Sequence, residues 1–327
     1  MSQRRVGILG LGAYVPEKIM TNHDLEKIVD TSDEWIQTRT GIKERRIAEA
    51  GTPTSELAAK AALEALESAK LKPTDLDLII LATVSPDMVF PSTACIVQNK
   101  IGAQCAAFDI SAACSGFPYG LTIAEGLIRS GVYKHILVIG AEVISVYINW
   151  KDRSTCVLFG DGAGAAVLGE AKDGHGILST YWGSDGSQAK LLQIPAGGSA
   201  IPTSNESISQ GLHYVQMEGS EIFKSAVRIM SDSVLEVIKR ANMKLEDVDC
   251  LIPHQANLRI LNAVSERIGI DPNKVYINLD RYGNMSAAST AVALYEAAKE
   301  GKIKKGSNVV LVAFGSGLTW AACAIRW

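Results

Sequence analysis

The sequence predicts a duplicated α/β fold, two similar halves of alternating helices and buried strands, and three observations predict it. LKPTDLDLIILAT (71–83) resembles MKLEDVDCLIPHQ (243–255) at an offset of 172. HILVIGAE (135–142) matches NVVLVAFG (308–315) at an offset of 173. Amphipathic segments precede apolar, β-branched runs, the pattern of βαβ units with buried, largely parallel strands. Two copies imply halves related by a pseudo-twofold axis, with sites where the halves meet. The repeat divides the chain into an N-terminal half, 1–172, and a C-terminal half, 173–327.

The first element is a strand. MSQRRVGILGLGAYVP places basic residues before an apolar run, as a signal peptide does, but it lacks an A-x-A site and its run is short and Gly-rich. A helix follows, with Leu57, Ala61, Ala62, Leu66 and Ala69 at helical spacing, and then the strand within 71–83. DISAACSGFPYG (109–120) reads as a short strand, a turn of small residues and an amphipathic segment. HILVIGAE is the next strand, and Gly160-Asp-Gly-Ala-Gly164 is a tight turn into the apolar strand AAVLG. In the second half Phe223, Val227, Met230, Val234 and Ile238 mark a helix, DCLIP a strand and QANLRILNAVSERIG a second helical segment. GNMSAAST is again a small-residue turn, opening a helix from Ser286 to about Lys299; an offset of 172 sets Ser286 opposite Cys114. Ser307 to Ile325 carries no charge over 19 residues, close to the length of a membrane span. Gly315-Ser316-Gly317 splits it into VVLVAF and TWAACAI, two buried strands around a loop, so no membrane association is expected.

Composition narrows the function. The 327 residues, 47% apolar and 20% charged, suit one large or two ordinary soluble domains. A net charge of −3 without any basic run argues against nucleic-acid binding. Six cysteines without a CxxC pair form neither a zinc site nor a disulfide framework, and a reducing cytoplasm is expected. Gly10-Leu-Gly12 lacks the third glycine and the helix of a dinucleotide site, and Gly160–Gly164 leads into a strand where a phosphate loop needs a helix.

Cys114 is the candidate nucleophile. A free cysteine is more often a small buried filler, yet this one stands at a helix N-terminus, whose dipole and free N–H groups favour the thiolate. Small residues at 112, 113, 115 and 116 permit close approach of a carbonyl, and a backbone N–H at the turn can receive the oxyanion. Of five histidines, His254 lies at a strand end, where α/β sheets place ligands. Asn284 stands at the matching turn of the second half, which suggests one shared, asymmetric site.

Seven segments taken together carry a resemblance: TSDEWIQTRTGI (31–42), FPSTAC (90–95), DISAACSGF (109–117), FGDGAGAAVL (159–168), PHQANLRI (253–260), YGNMSAAS (282–289) and AFGSGLTW (313–320). In this order and spacing the chain resembles the β-ketoacyl-[acyl-carrier-protein] synthase III family, from its first strand to Trp327. The family more often has Ala at 115, Thr at 285 and Gly at 316, where this chain has Ser, Met and Ser.

The resemblance implies a thiolase-like α-β-α-β-α fold of five layers. It implies that an acyl-CoA primer is joined to malonyl-carrier protein with loss of CoA and CO2, initiating fatty-acid synthesis. A specialised starter enzyme of a polyketide or other acyl pathway is the alternative. Cys114, His254 and Asn284 would be catalytic, with the oxyanion at the N–H groups of Cys114 and Gly317. Trp35, Arg39, Arg153 and Asn257 would bind CoA; Phe90, reaching across a homodimer, with Ile144 and Phe159, would line the acyl pocket; Lys224 and Arg259 would meet the acidic carrier protein. No metal or other cofactor is implied, because the departing carboxylate supplies the carbanion and CoA arrives as substrate.

Overall fold

The computed structural model describes residues 5–171 and 174–327, so the expected boundary between 172 and 173 lies outside the described residues. The apolar runs form two main sheets. The first contains β1 (Val6–Tyr14), β2 (Leu78–Ala82), β3 (Ala106–Ile110), β4 (Ile136–Glu142) and β5 (Gly162–Glu170), in the order β1-β5-β4-β2-β3. The second contains β6 (Gly176–Ser184), β7 (Cys250–Pro253), β8 (Asn308–Gly315) and β9 (Thr319–Arg326), in the order β7-β8-β9-β6. Every residue of β2, β4 and β8 is buried, as in strands covered on both faces.

The strands are less parallel than the sequence suggests. β2 runs parallel to β3 and β4, and β7 to β8. The pairs β1–β5, β4–β5, β8–β9 and β9–β6 are antiparallel. Only Ser316–Leu318 joins β8 to β9, far short of the dozen or so residues a parallel crossover needs.

Seven helices frame the two sheets and the site: α1 (Asp33–Thr40), α2 (Thr54–Ala69), α3 (Thr93–Ile101), α4 (Gly116–Arg129), α5 (Gly219–Arg240), α6 (Leu258–Ile268) and α7 (Ala288–Lys299). α2 and α3 cover the outer face of the first sheet; α5, backed by α6, covers that of the second. α4 and α7 touch strands of both sheets and lie between them, which completes five layers. Close packing explains Gly10 and Gly12: a Cβ there would lie 2.4 Å from the Ala65 carbonyl oxygen and 2.2 Å from that of Ala61. The GLG run is a contact surface for α2.

The pseudo-twofold relation is visible in the backbone. Lys70 and Asn242, 172 apart, end α2 and α5 in left-handed conformations with φ of 57° and 53°. Ala113 and Ser286 are also left-handed, with φ of 47° and 46°. Their separation is 173, so the counterpart of Cys114 is Ala287 and the expected match to Ser286 is one residue out. A non-glycine residue in this region costs about 1–2 kcal/mol, and such strain concentrates at functional turns.

Candidate active site

Cys114 lies in a short 3₁₀ turn, Ala113–Ser115, between β3 and α4. The start of β9 pins the turn: the Ser115 hydroxyl donates to the Thr319 carbonyl at 3.1 Å, and the Thr319 hydroxyl to the Ala112 carbonyl at 2.8 Å. The end of β8 presses on it so closely that a Cβ on Gly315 would lie 2.6 Å from the Cys114 nitrogen. The thiol itself is buried and points at the Ser286 hydroxyl, 3.7 Å away.

The C-terminal half supplies the facing groups. His254 follows β7, held by its N–H donating to the Val312 carbonyl at 2.7 Å. Its ring is buried, and Nδ1 finds no partner among the described residues. Asn284 pairs through its backbone with the segment around Phe159: its N–H donates to the Leu158 carbonyl at 2.8 Å, and its own carbonyl accepts from Gly160 at 3.0 Å. Its side-chain Oδ1 accepts from the Ser286 N–H at 2.8 Å. That bond fixes the amide orientation and leaves Nδ2 as the free donor.

Two cavities meet at Cys114. One, of about 230 Å³, is also lined by His254, Asn284, Trp35, Arg39, Asn257 and Arg259. The other, of about 620 Å³, runs past Val84, Val89, Ile144, Phe159 and Ser316. Eight residues singled out in the sequence, Phe159 among them, thus converge on the first cavity, and Ile144, with Phe159 and Cys114 again, on the second. Arg153 stands outside both walls but stacks on Trp35, its Cζ 4.7 Å from the ring centre; Arg39 lies 5.7 Å from the same ring. Phe90 lines neither cavity of its own chain; Val89 takes that place. Lys224 faces solvent in an ion pair with Glu221 at 2.8 Å. Gly317 also lines neither cavity, and Gly315 is the glycine that meets the nucleophile.

Electrostatics in this buried site oppose ionisation. Burial pushes the Cys114 thiol up to about 12, the Ser286 hydrogen bond acting against it and the Glu142 charge with it. Burial holds His254 down at about 3, so its imidazole is neutral. Burial likewise raises Glu142 to about 7 despite the donors around it. The sequence reading missed Ser286 as the thiol's partner, Gly315 as its backbone neighbour, and Glu142. The one signal for Glu142 is a lone acid closing the otherwise uncharged run ILVIGAE.

Known proteins resemble this chain over nearly its whole length. The family model described as 3-oxoacyl-[acyl-carrier-protein (ACP)] synthase III matches residues 108–186, and the one for its C-terminal part matches 238–327. A β-ketoacyl-[acyl-carrier-protein] synthase III of Caldanaerobacter subterraneus is 60% identical over 98% of this chain and 97% of its own. The chain belongs to the β-ketoacyl-[acyl-carrier-protein] synthase III family. Family members with solved structures superpose closely: the 3-oxoacyl-[acyl-carrier-protein] synthase III of Aquifex aeolicus is 51% identical with a TM-score of 0.91, covering 98% of this chain and 100% of its own. A priming β-ketosynthase of the R1128 polyketide pathway has the same TM-score, 0.91, over 100% of this chain and 98% of its own, at only 32% identity. The fatty-acid reading is therefore favoured over the starter-enzyme alternative.

Against the commoner synthase III pattern, the three departures have different reach. Met285 is fully buried in a small cluster with Tyr282, Ala288 and Val292, and lines neither cavity. Ser115 spends its hydroxyl on Thr319. Only Ser316 reaches a cavity wall, where its hydroxyl donates to the Leu192 carbonyl. Gly315→Ala is the sharper test of the site. The new methyl must displace the Cys114 turn, and a misplacement of about 1 Å costs on the order of 10²-fold in rate. Cys114 acylation should fall by about that factor with the circular dichroism spectrum retained; near-normal acylation would mean that β8 does not set the nucleophile.

Proposed function

We propose the following division of labour for the condensation that initiates fatty-acid synthesis, the activity of this synthase III chain. The Cys114 sulfur attacks the thioester carbonyl of an acyl-CoA primer. The carbonyl electrons collect on oxygen, where the N–H groups of Cys114 and Gly317 receive them, and collapse expels CoA, which leaves as the thiol with the proton Cys114 gave up. Malonyl-carrier protein then enters, and His254 and Asn284 Nδ2 donate to its thioester carbonyl. As the malonyl carboxylate departs as CO2, its bonding pair becomes an enolate held by those two donors. The enolate carbon attacks the acyl-cysteine, and collapse releases 3-oxoacyl-carrier protein and the Cys114 thiolate, which takes one proton from solvent to regain the thiol. The scheme uses no metal or other cofactor. The observation that carries it is that Cys114, His254 and Asn284 line one cavity. Turnover tests it: with acyl-CoA and malonyl-carrier protein, CO2, CoA and 3-oxoacyl-carrier protein should appear in equal amounts, and omitting either substrate should stop all three beyond a single acylation.

Further assignments extend the proposal. The cluster of Trp35, Arg39 and Arg153 suits an adenine face and phosphates, because a guanidinium serves both stacking and phosphate pairing, and Asn257 faces the arm between them. The 620 Å³ cavity takes the acyl chain. Val89 and Phe90 are 86% and 83% exposed, a pair of large apolar side chains suited to a partner copy, so a homodimer is the working assembly. Among the described residues no helix is long and apolar enough to cross a membrane, and the cytoplasm is the proposed compartment. Arg259 stands on the cavity wall beside Phe223, its Cζ 5.8 Å from the ring, and meets the carrier protein; Lys224, already paired with Glu221, contributes less. Arg259→Glu should raise the apparent KM for malonyl-carrier protein and weaken its salt dependence, as attraction becomes repulsion. Loss of acyl-CoA use with unchanged carrier-protein kinetics would place Arg259 in the CoA site instead.

A further inference from the structure

Glu142 closes β4 inside the protein, its side chain fully buried. The short hydrogen bonds its carboxylate accepts come from three consecutive residues, and the Ser286 hydroxyl, which also faces the Cys114 thiol, acts on it as well. Thr83 Oγ1 donates at 3.0 Å, the Val84 N–H at 3.1 and 3.2 Å to the two oxygens, the Ser85 N–H at 3.0 Å, and the Ser85 hydroxyl closes the set. Ser85 Oγ in turn accepts from the Val143 N–H at 2.9 Å. All four donors converge on one oxygen, Oε2, with the Val84 N–H shared with Oε1, a crowding of donors that a carboxylate suits better than a hydroxyl or an amide.

The three clamped residues begin the connection from β2 to α3, and that connection is a wall of the larger cavity. Thr83, Val84, Pro86 and Val89 line it beside Cys114. The far end of the connection is held separately: Asp87 accepts from the Ser55 N–H at 2.8 Å, and the Asp87 N–H donates to Thr93 Oγ1 at 3.0 Å. At the near end the Thr83 N–H donates to the Ile110 carbonyl at 3.2 Å and Thr54 Oγ1 to the Ser85 carbonyl at 2.5 Å, and Glu142 is the group that gathers Thr83, Val84 and Ser85 together. An acid buried this deeply costs free energy that only its donors offset, and burial raises it to about 7.

We propose that Glu142 is a specificity-determining positioning residue: by clamping Thr83–Ser85 it fixes the wall at Val84, Pro86 and Val89, and with it the size of acyl primer admitted beside Cys114. The inference rests on the reading of the 620 Å³ cavity as the primer's. It differs from a role in the thiol's own chemistry, which the Glu142 charge near Cys114 and the Ser286 hydroxyl the two share also allow. The two roles differ in their signatures, because a loosened wall changes the ratio between primers, whereas a changed thiol alters all primers alike.

The experiment measures kcat/KM for Cys114 acylation with acetyl-, isobutyryl-, hexanoyl- and octanoyl-CoA. Glu142→Gln sets an amide N–H against the Val84 and Ser85 N–H groups, and Ser85→Ala removes one donor while leaving the acid in place. Each variant should shift the ratio between the preferred and the longer primers by about tenfold, the discrimination that one methylene gives in an apolar pocket. A uniform loss across all four primers, or unchanged ratios in both variants, overturns the proposal. Should Glu142→Gln fail to fold, Ser85→Ala decides by the same criterion. Ile144→Phe, at a buried wall residue of the same cavity, narrows it directly and separates the two layers of the argument. If it too leaves the ratios unchanged, the cavity is not the primer's and the proposal falls with that reading. If it alone shifts them, the cavity reading stands and the Glu142 assignment falls.

Discussion

With an acyl-CoA primer and no second substrate, the intact protein should gain one acyl group per chain, on Cys114, and Cys114→Ala should gain none. The first half-reaction needs only the sulfur, the turn that holds it and the N–H groups around it. The mass of the intact chain, followed by peptide mapping, reads the result; an adduct on Cys95, the exposed cysteine, would sink the assignment. Turnover in Cys114→Ala should drop by about 10⁴-fold or more, since removing a covalent nucleophile leaves only binding and the oxyanion donors. The pH profile adds an independent reading. The free thiol is pushed up to about 12 by burial, so below that value the thiolate fraction grows with pH. Alkylation of Cys114 by a small neutral reagent should therefore climb about tenfold per unit between about pH 6 and 9, because only the thiolate reacts. A flat profile over that range would mean that the helix N-terminus already holds a thiolate, and that burial does not dominate.

The sequence made the repeat legible because its signal is local: a C-terminal helix turn, a short 3₁₀ segment and a buried strand recur at a nearly constant offset. It misplaced the counterpart of Cys114 by one residue because the offset lengthens from 172 to 173 between the first match and the turn, and only the paired left-handed residues Ala113 and Ser286 settle the register. It could place Cys114, His254 and Asn284 at turns and strand ends, but not on one wall. Their convergence depends on α4 and α7 packing between two sheets, a long-range arrangement that local patterns do not encode. Gly315 was legible as a strand breaker and not as a neighbour of Cys114, because the contact joins residues some two hundred positions apart. Glu142 was overlooked for a related reason. A single acid at a strand end usually faces water, and its burial follows only when the β2–α3 connection folds over it.

His254→Ala and Asn284→Ala should each abolish condensation, by about 10³-fold or more, and leave most of the acylation of Cys114 intact. The geometry argues for this split. Asn284 Oδ1 is occupied by the Ser286 N–H, so its amide offers a donor, and His254, held at about 3 by burial, is neutral and also offers an N–H. The group within hydrogen-bond reach of the sulfur is the Ser286 hydroxyl, at 3.7 Å, and not either of these two. Two donors aimed at a developing enolate act only once malonyl-carrier protein is bound, and each such donor contributes on the order of 10²–10³-fold. The measurement pairs the acyl adduct per chain with release of CO2 from malonyl-carrier protein. The pH dependence has a definite sign. Because the folded His254 binds its proton only near pH 3, CO2 release should show no acid limb from this residue between about pH 5 and 8, whereas an unperturbed histidine would give one near 6.5. Equal loss of acylation and CO2 release in folded variants would mean that His254 and Asn284 serve the thiol. An acid limb near 6.5 that disappears in His254→Ala would mean that the imidazole is solvated and acts through its charge.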